Sequence, residues 1–376
     1  MHSIIKKIFF ILFFTSCACN IIAQENLPPI IISEGNAVYC PQTTQNIVTF
    51  FNIEDPDDTT LDALYIQISE GYTQAEDQLI YNGSNPNLNT IWSNSEGKLE
   101  ITSFSGEELL ITDIIDAVYD VFFISSNPNP SDKSFSFTIG DANFLPSTGH
   151  FYVYFSAPGI SWPQARDDAE NTNYYGLQGY LATILSEDEN QIAAVQINDV
   201  GWIGASDADN EDDWRWVTGP EGLLNNGDGL PFWFGEGTDE GGAPVNGQYS
   251  NWNGEAEPND SGNQGEDYAH VTSPDVGLVG TWNDLDFDGA NNTPNSAYYP
   301  QGYIVEYGGM PGDPELNLSS STSLLAPPTV TVEPFFGFDC NSVSINASSD
   351  DGDGSVYWFE SETGGDSIYF GTTFEA

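Results

Sequence analysis

"EAEPNDSGNQGEDYAH", residues 255–270, is followed after nine residues by "GTWNDLDFDG", residues 280–289. The two stretches gather carboxylates, amides and glycines and contain no Lys or Arg. Asn, Asp, Gly and Pro are turn formers, so the plain reading is a pair of solvated loops in an acidic protein. The sharper reading is that this many oxygen donors, kept apart from cations, collect a ligand that wants oxygen. The remainder of the chain decides between the two.

The chain has 376 residues, a length that suits two or three domains. Its 57 Asp plus Glu against 6 Lys plus Arg give a formal net charge of -51. Such a charge repels phosphate backbones and anionic membrane surfaces, which excludes nucleic acid as a partner. It also opposes compaction unless counter-ions or bound divalent cations neutralise it, and calcium is the natural candidate outside cells. At the start, Lys6 and Lys7 precede an apolar run and then small residues, the layout of a secretory signal over 1–23 with cleavage after Ala23. A lipoprotein reading would instead acylate Cys17. No later segment reads as a membrane span, so a secreted or cell-surface protein is expected. Cys40 and Cys340 are then the mature thiols, too few and too distant to form a disulfide framework.

From 28 to 143, short runs alternate apolar and polar residues: "NIVTFFNIED" (46–55), "ALYIQIS" (63–69), "GKLEITSF" (97–104) and "KSFSFTIGDAN" (133–143). Turn-rich pieces separate them, which predicts an antiparallel all-β sandwich with one helix in "GEELLITDIIDAVYD" (106–120). An early "DPDD", a mid-domain "GKLEI" and a terminal "FTIGDAN" resemble cadherin-like repeats of the chondroitin sulfate proteoglycan type. The pattern changes at about Pro146. Trp162, Ala165 and Ala169 fall at helical spacing, and Ser186 with Glu189 three residues later reads as a capping box opening a second helix. Residues 219–265 form a long loop region, and loops of that length inside a compact domain are usually functional. Residues 310–327 read as a linker. The segment 328–376 carries three or four strand signals and resembles the start of an immunoglobulin-like module, a partial β-sandwich whose remaining strands are expected in a continuation.

The stretch 146–309 resembles a C-type lectin-like domain. The matching pieces occur in order: "SWPQARDDAE" (161–170), "GYLATILSEDENQ" (179–191), "GWIGASD" (201–207), "EPND" (257–260), "GED" (265–267), "WND" (282–284) and "GYIVEYGG" (302–309). The fold class so implied is multidomain: an N-terminal all-β sandwich, a central α+β C-type lectin-like fold with two helices and a calcium-binding loop region, and a C-terminal partial β-sandwich.

The resemblance implies a sugar-binding calcium ligated by Glu257, Asn259, Glu266, Asn283 and Asp284, with Pro258 in a cis peptide bond. Calcium takes six to eight oxygen ligands, the kind these residues supply. An auxiliary calcium is implied at Asp207, Glu211, Asp260 and Asp267, whose carboxylates would repel one another without a cation. The Glu-Pro-Asn form resembles the mannose, glucose and fucose type. Two departures stand out: the loop from Glu257 to Glu266 is one residue longer than in common animal examples, and no cysteine occurs from 41 to 339. Trp252, Tyr298 and Tyr299 are candidates for stacking on sugar rings, although core packing is the commoner use of such residues. His150 and His270 have no neighbouring ligands in sequence that would suggest zinc. No nucleophile and base arrangement stands out, so binding rather than catalysis is expected. Glycans or glycoproteins are the expected partners, together with other surface proteins. The alternative is a calcium-stabilised protein-binding or structural adhesion module that binds no sugar.

Overall fold

The structure is a computed structural model that describes residues 27–39, 43–197, 200–261, 265–290, 292–326, 330–333, 344–349, 356–360 and 367–375. The expected signal segment, Cys17, Cys40 and Cys340 lie outside the described residues. The described chain is β-rich, built from several sheets with few helices.

The N-terminal unit is a sandwich. One layer is a six-stranded sheet in the order Asn36–Val38, Ser319–Leu325, Lys133–Thr138, Ala63–Glu70, Lys98–Ser103, Leu88–Ser93. Against it lie two smaller sheets, Ile30–Glu34 with Phe50–Glu54, and Gln45–Asn46 with Val121–Ser125 and Asp77–Tyr81. The period-2 alternation is realised as expected: Ile66 and Ile68 stand opposite Phe137 and Phe135, all fully buried, and Phe51, Leu79 and Phe123 close the core from the other layer. The helix forms over Ile111–Tyr119 and buries Ile111, Ile114, Ala117 and Val118, one stripe at helical spacing. Lys133 and Asp77 make an ion pair at 2.9 Å inside this unit.

The expected linker is different. Ser319–Leu325, within 310–327, is a strand of the sandwich, antiparallel to Lys133–Thr138 and parallel to Asn36–Val38. Leu324 is buried in the sandwich core, and Thr322 Oγ1 donates to the Ile47 carbonyl at 2.6 Å. The central unit is therefore an insertion between two neighbouring strands of the sandwich. Its own ends suit that role. Its opening strand His150–Ser156 runs antiparallel to its closing strand Gly302–Tyr307, from Phe151↔Tyr307 to Ser156↔Gly302, so entry and exit lie side by side.

Within the insertion a sheet runs in the order Asn143–Leu145, His150–Ser156, Gly302–Tyr307, Trp202–Ser206, Asp213–Trp216, Leu230–Phe234, Ala243–Pro244, and Tyr268–Val271 with Trp282–Leu285 branches from Trp202–Ser206. The first expected helix forms over Trp162–Glu170, capped by Ser161 and Gln164, and buries Trp162, Ala165 and Ala169. The second, expected as one helix, is an α-helical turn at Glu187–Asn190 that widens into a π-helical turn at Gln191–Val195. Half of its capping box forms, with Glu189 N donating to Ser186 Oγ at 3.1 Å. The other half does not, because the buried Glu189 carboxylate accepts from Leu185 N at 2.5 Å and from Tyr152 Oη at 3.2 Å instead.

Just after the π turn, Gln196 ties the insertion to the sandwich. Its buried Nε2 donates to the Ile68 carbonyl at 3.0 Å and to the Glu96 carbonyl at 2.6 Å. Replacing Gln196 by Ala takes this donor from the buried Ile68 carbonyl and from the part-buried Glu96 carbonyl, which keeps Gln67 Nε2 as a donor, and urea unfolding of the whole chain is expected to show a loss of about 1–3 kcal/mol. An unchanged unfolding midpoint would show that the two units do not share this clamp.

Only pieces of 328–376 are described. They are five short strands, Val330–Val332, Ser344–Ser349, Tyr357–Trp358, Tyr369–Phe370 and Thr373–Glu375.

Candidate functional site

An aromatic cluster sets the position of the acidic loops. Trp216 stacks on Phe232 with ring centroids 4.7 Å apart, Trp252 meets Trp214 at 4.9 Å, and Trp282 stands edge-on to Trp216, Phe232 and Trp252. Trp282 Nε1 donates to Asn190 Oδ1 at 2.9 Å. The strand Trp282–Leu285 is thereby fixed, with Ala269 opposite Asp284 and His270 opposite Asn283. The cluster also corrects one candidate: Trp252 is only 8% exposed and belongs to this core, which explains its place in the loop sequence without any ring stacking on a sugar.

Asp284 lies at the centre of the oxygen-rich loops and is buried. Its Oδ2 accepts from the backbone N–H groups of Asn259, at 2.8 Å, and Asp260, at 3.1 Å. Its Oδ1 is buried and has no hydrogen-bond partner. Glu257 and Pro258 are joined by a cis peptide bond. Glu257 Oε2 accepts from Asn259 Nδ2 at 2.6 Å, which holds the acid and the amide side by side. Glu266 Oε2 accepts from Ser261 N at 3.0 Å, and Asp260 Oδ1 accepts from Glu266 N at 3.1 Å. On the neighbouring segment Asp207 Oδ2 accepts from Asp212 N at 3.0 Å, while the buried Asp207 Oδ1 has no partner. Carboxylate oxygens of Asp207, Glu211 and Asp267 lie within 4.8 Å of one another.

These segments meet at one small cavity of about 10 Å³, lined by Asp207, Glu211, Asp260, Glu266 and Asp284 among others. The volume suits a single small occupant. The two residue sets distinguished in the sequence thus share a wall. Glu257, Asn259, Asp267 and Asn283 do not line this cavity; Asn283 is buried and its Nδ2 donates to the Asp284 carbonyl. Tyr298 is 42% exposed, and Tyr299 packs its hydroxyl over Gly159; neither lines the cavity. Glu236 and Trp214 do line it. Nothing in the glycine- and acid-rich stretch around Glu236 sets it apart in sequence from its neighbours.

The electrostatics are severe for a protein at neutral pH. Burial pushes Asp207 up to about 8, with Glu211, Asp267 and Asp284 adding repulsion against the opposing hydrogen bond from Asp212. Burial and the adjacent Asp284 carboxyl push Glu257 up to about 8, and burial with Asp284 pushes Glu266 to about 7. Asp284 is raised by burial despite the N–H groups it accepts from. Glu211 and Asp267 are raised too, by burial first and then by the surrounding acids. Oxygen-only donors, unpartnered buried carboxylate oxygens and mutual repulsion form a setting in which a divalent cation would relieve every one of these costs.

Two histidines that sequence reasoning set aside have definite surroundings. His150 Nδ1 lies 2.6 Å from Glu306 Oε1, and Tyr152 and Glu189 complete a buried polar cluster. Burial lowers the His150 pKa, but the Glu306 hydrogen bond and the nearby Glu189 and Glu221 more than offset it, so the net shift is upward. His270 is fully enclosed against Trp202, its Nε2 has no partner, and burial lowers its pKa to about 3.

Among the described residues no helix is long and apolar enough to cross a membrane. No protein-family model matches the chain. The chain is similar to Halomucin of Haloquadratum walsbyi (strain DSM 16790 / HBSQ001), at 34% identity over 289 residues, a match that covers 75% of this chain and 3% of that protein. The similarity therefore relates most of this chain to one small stretch of a far longer protein.

Proposed function

We propose that the insertion, 146–309, is a C-type lectin-like domain that binds carbohydrate through calcium, carried by an exported surface protein of adhesin type. The observation that carries this reading is the pair of buried, unpartnered oxygens, Asp207 Oδ1 and Asp284 Oδ1, on residues lining one carboxylate-walled cavity. Buried polar atoms without partners are uncommon in folded proteins, and a bound ion is one way to satisfy two of them on a single wall. The donor set fits calcium: Asp207, Glu211, Asp260, Glu266 and Asp284, which line the cavity, would hold it together with the neighbouring Asp267, with Glu257 and Asn259 on the sugar side. Bound calcium would supply open coordination positions for two sugar hydroxyls. Asn259 would donate its amide N–H to a hydroxyl and Glu257 would accept from one, which gives the pair a fixed polarity. The order of the seven matching motifs supports the same fold assignment, as do the paired terminal strands. Export is supported by the signal-like start, and the proposed partners are glycans or glycoproteins and other surface proteins. The role is binding, not catalysis.

The polarity is testable. The double change Glu257→Gln with Asn259→Asp preserves one carboxylate and one amide oxygen but exchanges donor and acceptor. Multivalent glycan conjugates should shift in preference from mannose-like toward galactose-like sugars, by about 1–3 kcal/mol if one hydrogen bond is mismatched. A variant that still takes up calcium but retains the parent's profile would place sugar contact elsewhere. A second reading, calcium as a loop-ordering ion in a protein-binding module, is favoured by Asn283, whose amide serves the Asp284 carbonyl rather than the cavity. On that reading calcium stabilises the chain and no sugar binds.

A further inference from the structure

The chain's cations point to a second site. Of its 6 Lys plus Arg, Lys6 and Lys7 lie outside the described residues. Lys133 is buried in its pair with Asp77, and Lys98 is buried against Asp141 and Glu96. The other two, Arg166 and Arg215, come from different elements and line one cleft of about 470 Å³. That volume is ordinary for a small-molecule site. In a chain of net charge -51, the two arginines not buried in the sandwich meet at one place.

Both guanidinium groups are already held. Arg166 Nε and Nη2 donate to Asp167 Oδ1 at 3.0 and 2.6 Å, and Arg215 Nε and Nη2 donate to Asp213 Oδ2 at 3.0 and 2.7 Å. Asp209 and Asp228 also line the cleft. An anionic ligand would meet neutralised arginines and three further carboxylates, those of Asp207, Asp209 and Asp228, and a cationic one would meet the arginines. A neutral hydroxyl suits the arrangement, because it donates to a carboxylate and accepts from a guanidinium at once, and here those groups are held side by side. Tyr268 adds a half-buried aromatic wall, its ring 4.8 Å from that of Trp162. Asp207 lines both this cleft and the carboxylate cavity, so the two are neighbours with separate linings otherwise.

We propose that the cleft between Arg166 and Arg215 is a second saccharide site, one that takes a neutral hexose unit without calcium. It goes beyond the calcium-dependent reading and does not rest on it. The test uses the whole chain in excess chelator against polymer-linked glucose, galactose, mannose and glucuronate. At least one neutral conjugate should bind. Arg166→Gln, at a half-exposed position on the helix surface, and Asp228→Trp, at an exposed rim position, should each weaken that binding about tenfold or more. All of this binding is measured in chelator, where the calcium cavity cannot contribute, so failure of the calcium reading and failure of this one are distinguishable. Melting curves show that each variant is folded. Absence of neutral-conjugate binding in chelator, preference for glucuronate, or folded cleft variants that bind as the parent does would each overturn the proposal.

Discussion

Millimolar calcium is expected to raise the melting temperature of the whole chain by about 5–10 °C over its value in chelator. An ion present at 100 times its Kd stabilises the folded state by about 2.7 kcal/mol, and domains of this size shift by about 2–4 °C per kcal/mol. Asp284→Asn should abolish the rise, because it removes the central charge while an amide oxygen can still accept from Asn259 and Asp260. Alanine at this position is a poorer test, since it would also strand those two N–H groups. In chelator the pH dependence has a definite sign. Asp207, Glu257 and Glu266 have folded pKa values of about 8, 8 and 7, above their ordinary values, so the folded state binds more protons than the unfolded state between about pH 4.5 and 8. The metal-free chain should therefore be more stable at pH 6 than at pH 8. With calcium present the ligands must be ionised, and the same acidification should weaken the chain instead. A melting temperature indifferent to calcium at both pH values would remove the metal from the account.

Below pH 6.5 one buried group works against these carboxyls. His270 is fully buried, and its pKa is lowered to about 3. A depressed histidine contributes stability that is present above its unfolded pKa and lost as the solution becomes more acidic, at about 1.4 kcal/mol per pH unit for one proton. Between pH 6.5 and 4.5 the loss from His270 alone is about 2.3 kcal/mol. His270→Leu, close in volume and unable to take a proton, should remove this opposing contribution, so that on acidification in chelator the variant gains stability relative to the parent. His150 acts with the opposite sign: its raised pKa contributes stability at low pH that is lost as pH rises through it. The difference between parent and His270→Leu isolates the buried ring from His150 and from the acidic cavity. Parent and variant profiles that run parallel between pH 6.5 and 4.5 would show that His270 contributes nothing to the pH dependence.

What the sequence revealed follows from how local each signal is. Trp162, Ala165 and Ala169 sit at helical spacing behind a serine cap, and the helix forms where that pattern places it. The oxygen donors of the acidic loops are legible because ligands of one kind cluster in short stretches, and the structure brings Asp260, Glu266 and Asp284 of those loops to one cavity with Asp207 and Glu211. Ser319–Leu325 was not legible. "SSSTSLL" has serine and threonine where a strand usually shows apolar alternation, and its strand character comes from pairing with Lys133–Thr138, far away in sequence. The insertion of one unit into another was hidden with it. Glu306 in "YIVEY" is a charge within an otherwise apolar strand, and nothing near it in sequence names its partner, because His150 arrives from 156 residues earlier. Trp252 could not be assigned from its loop, because its burial depends on Trp214, Phe232 and Trp282 meeting around it.

The central claim is that calcium at the Glu257–Asp284 loops is the means by which this chain holds a sugar. The most direct measurement is retention of the whole chain on polymer-linked mannose, in calcium and in chelator, for the parent, for Arg166→Gln and for Asp284→Asn. The account predicts a calcium-dependent increment that persists in Arg166→Gln and is absent in Asp284→Asn. A chain that binds calcium by calorimetry yet shows no increment on mannose, glucose or fucose conjugates would contradict it.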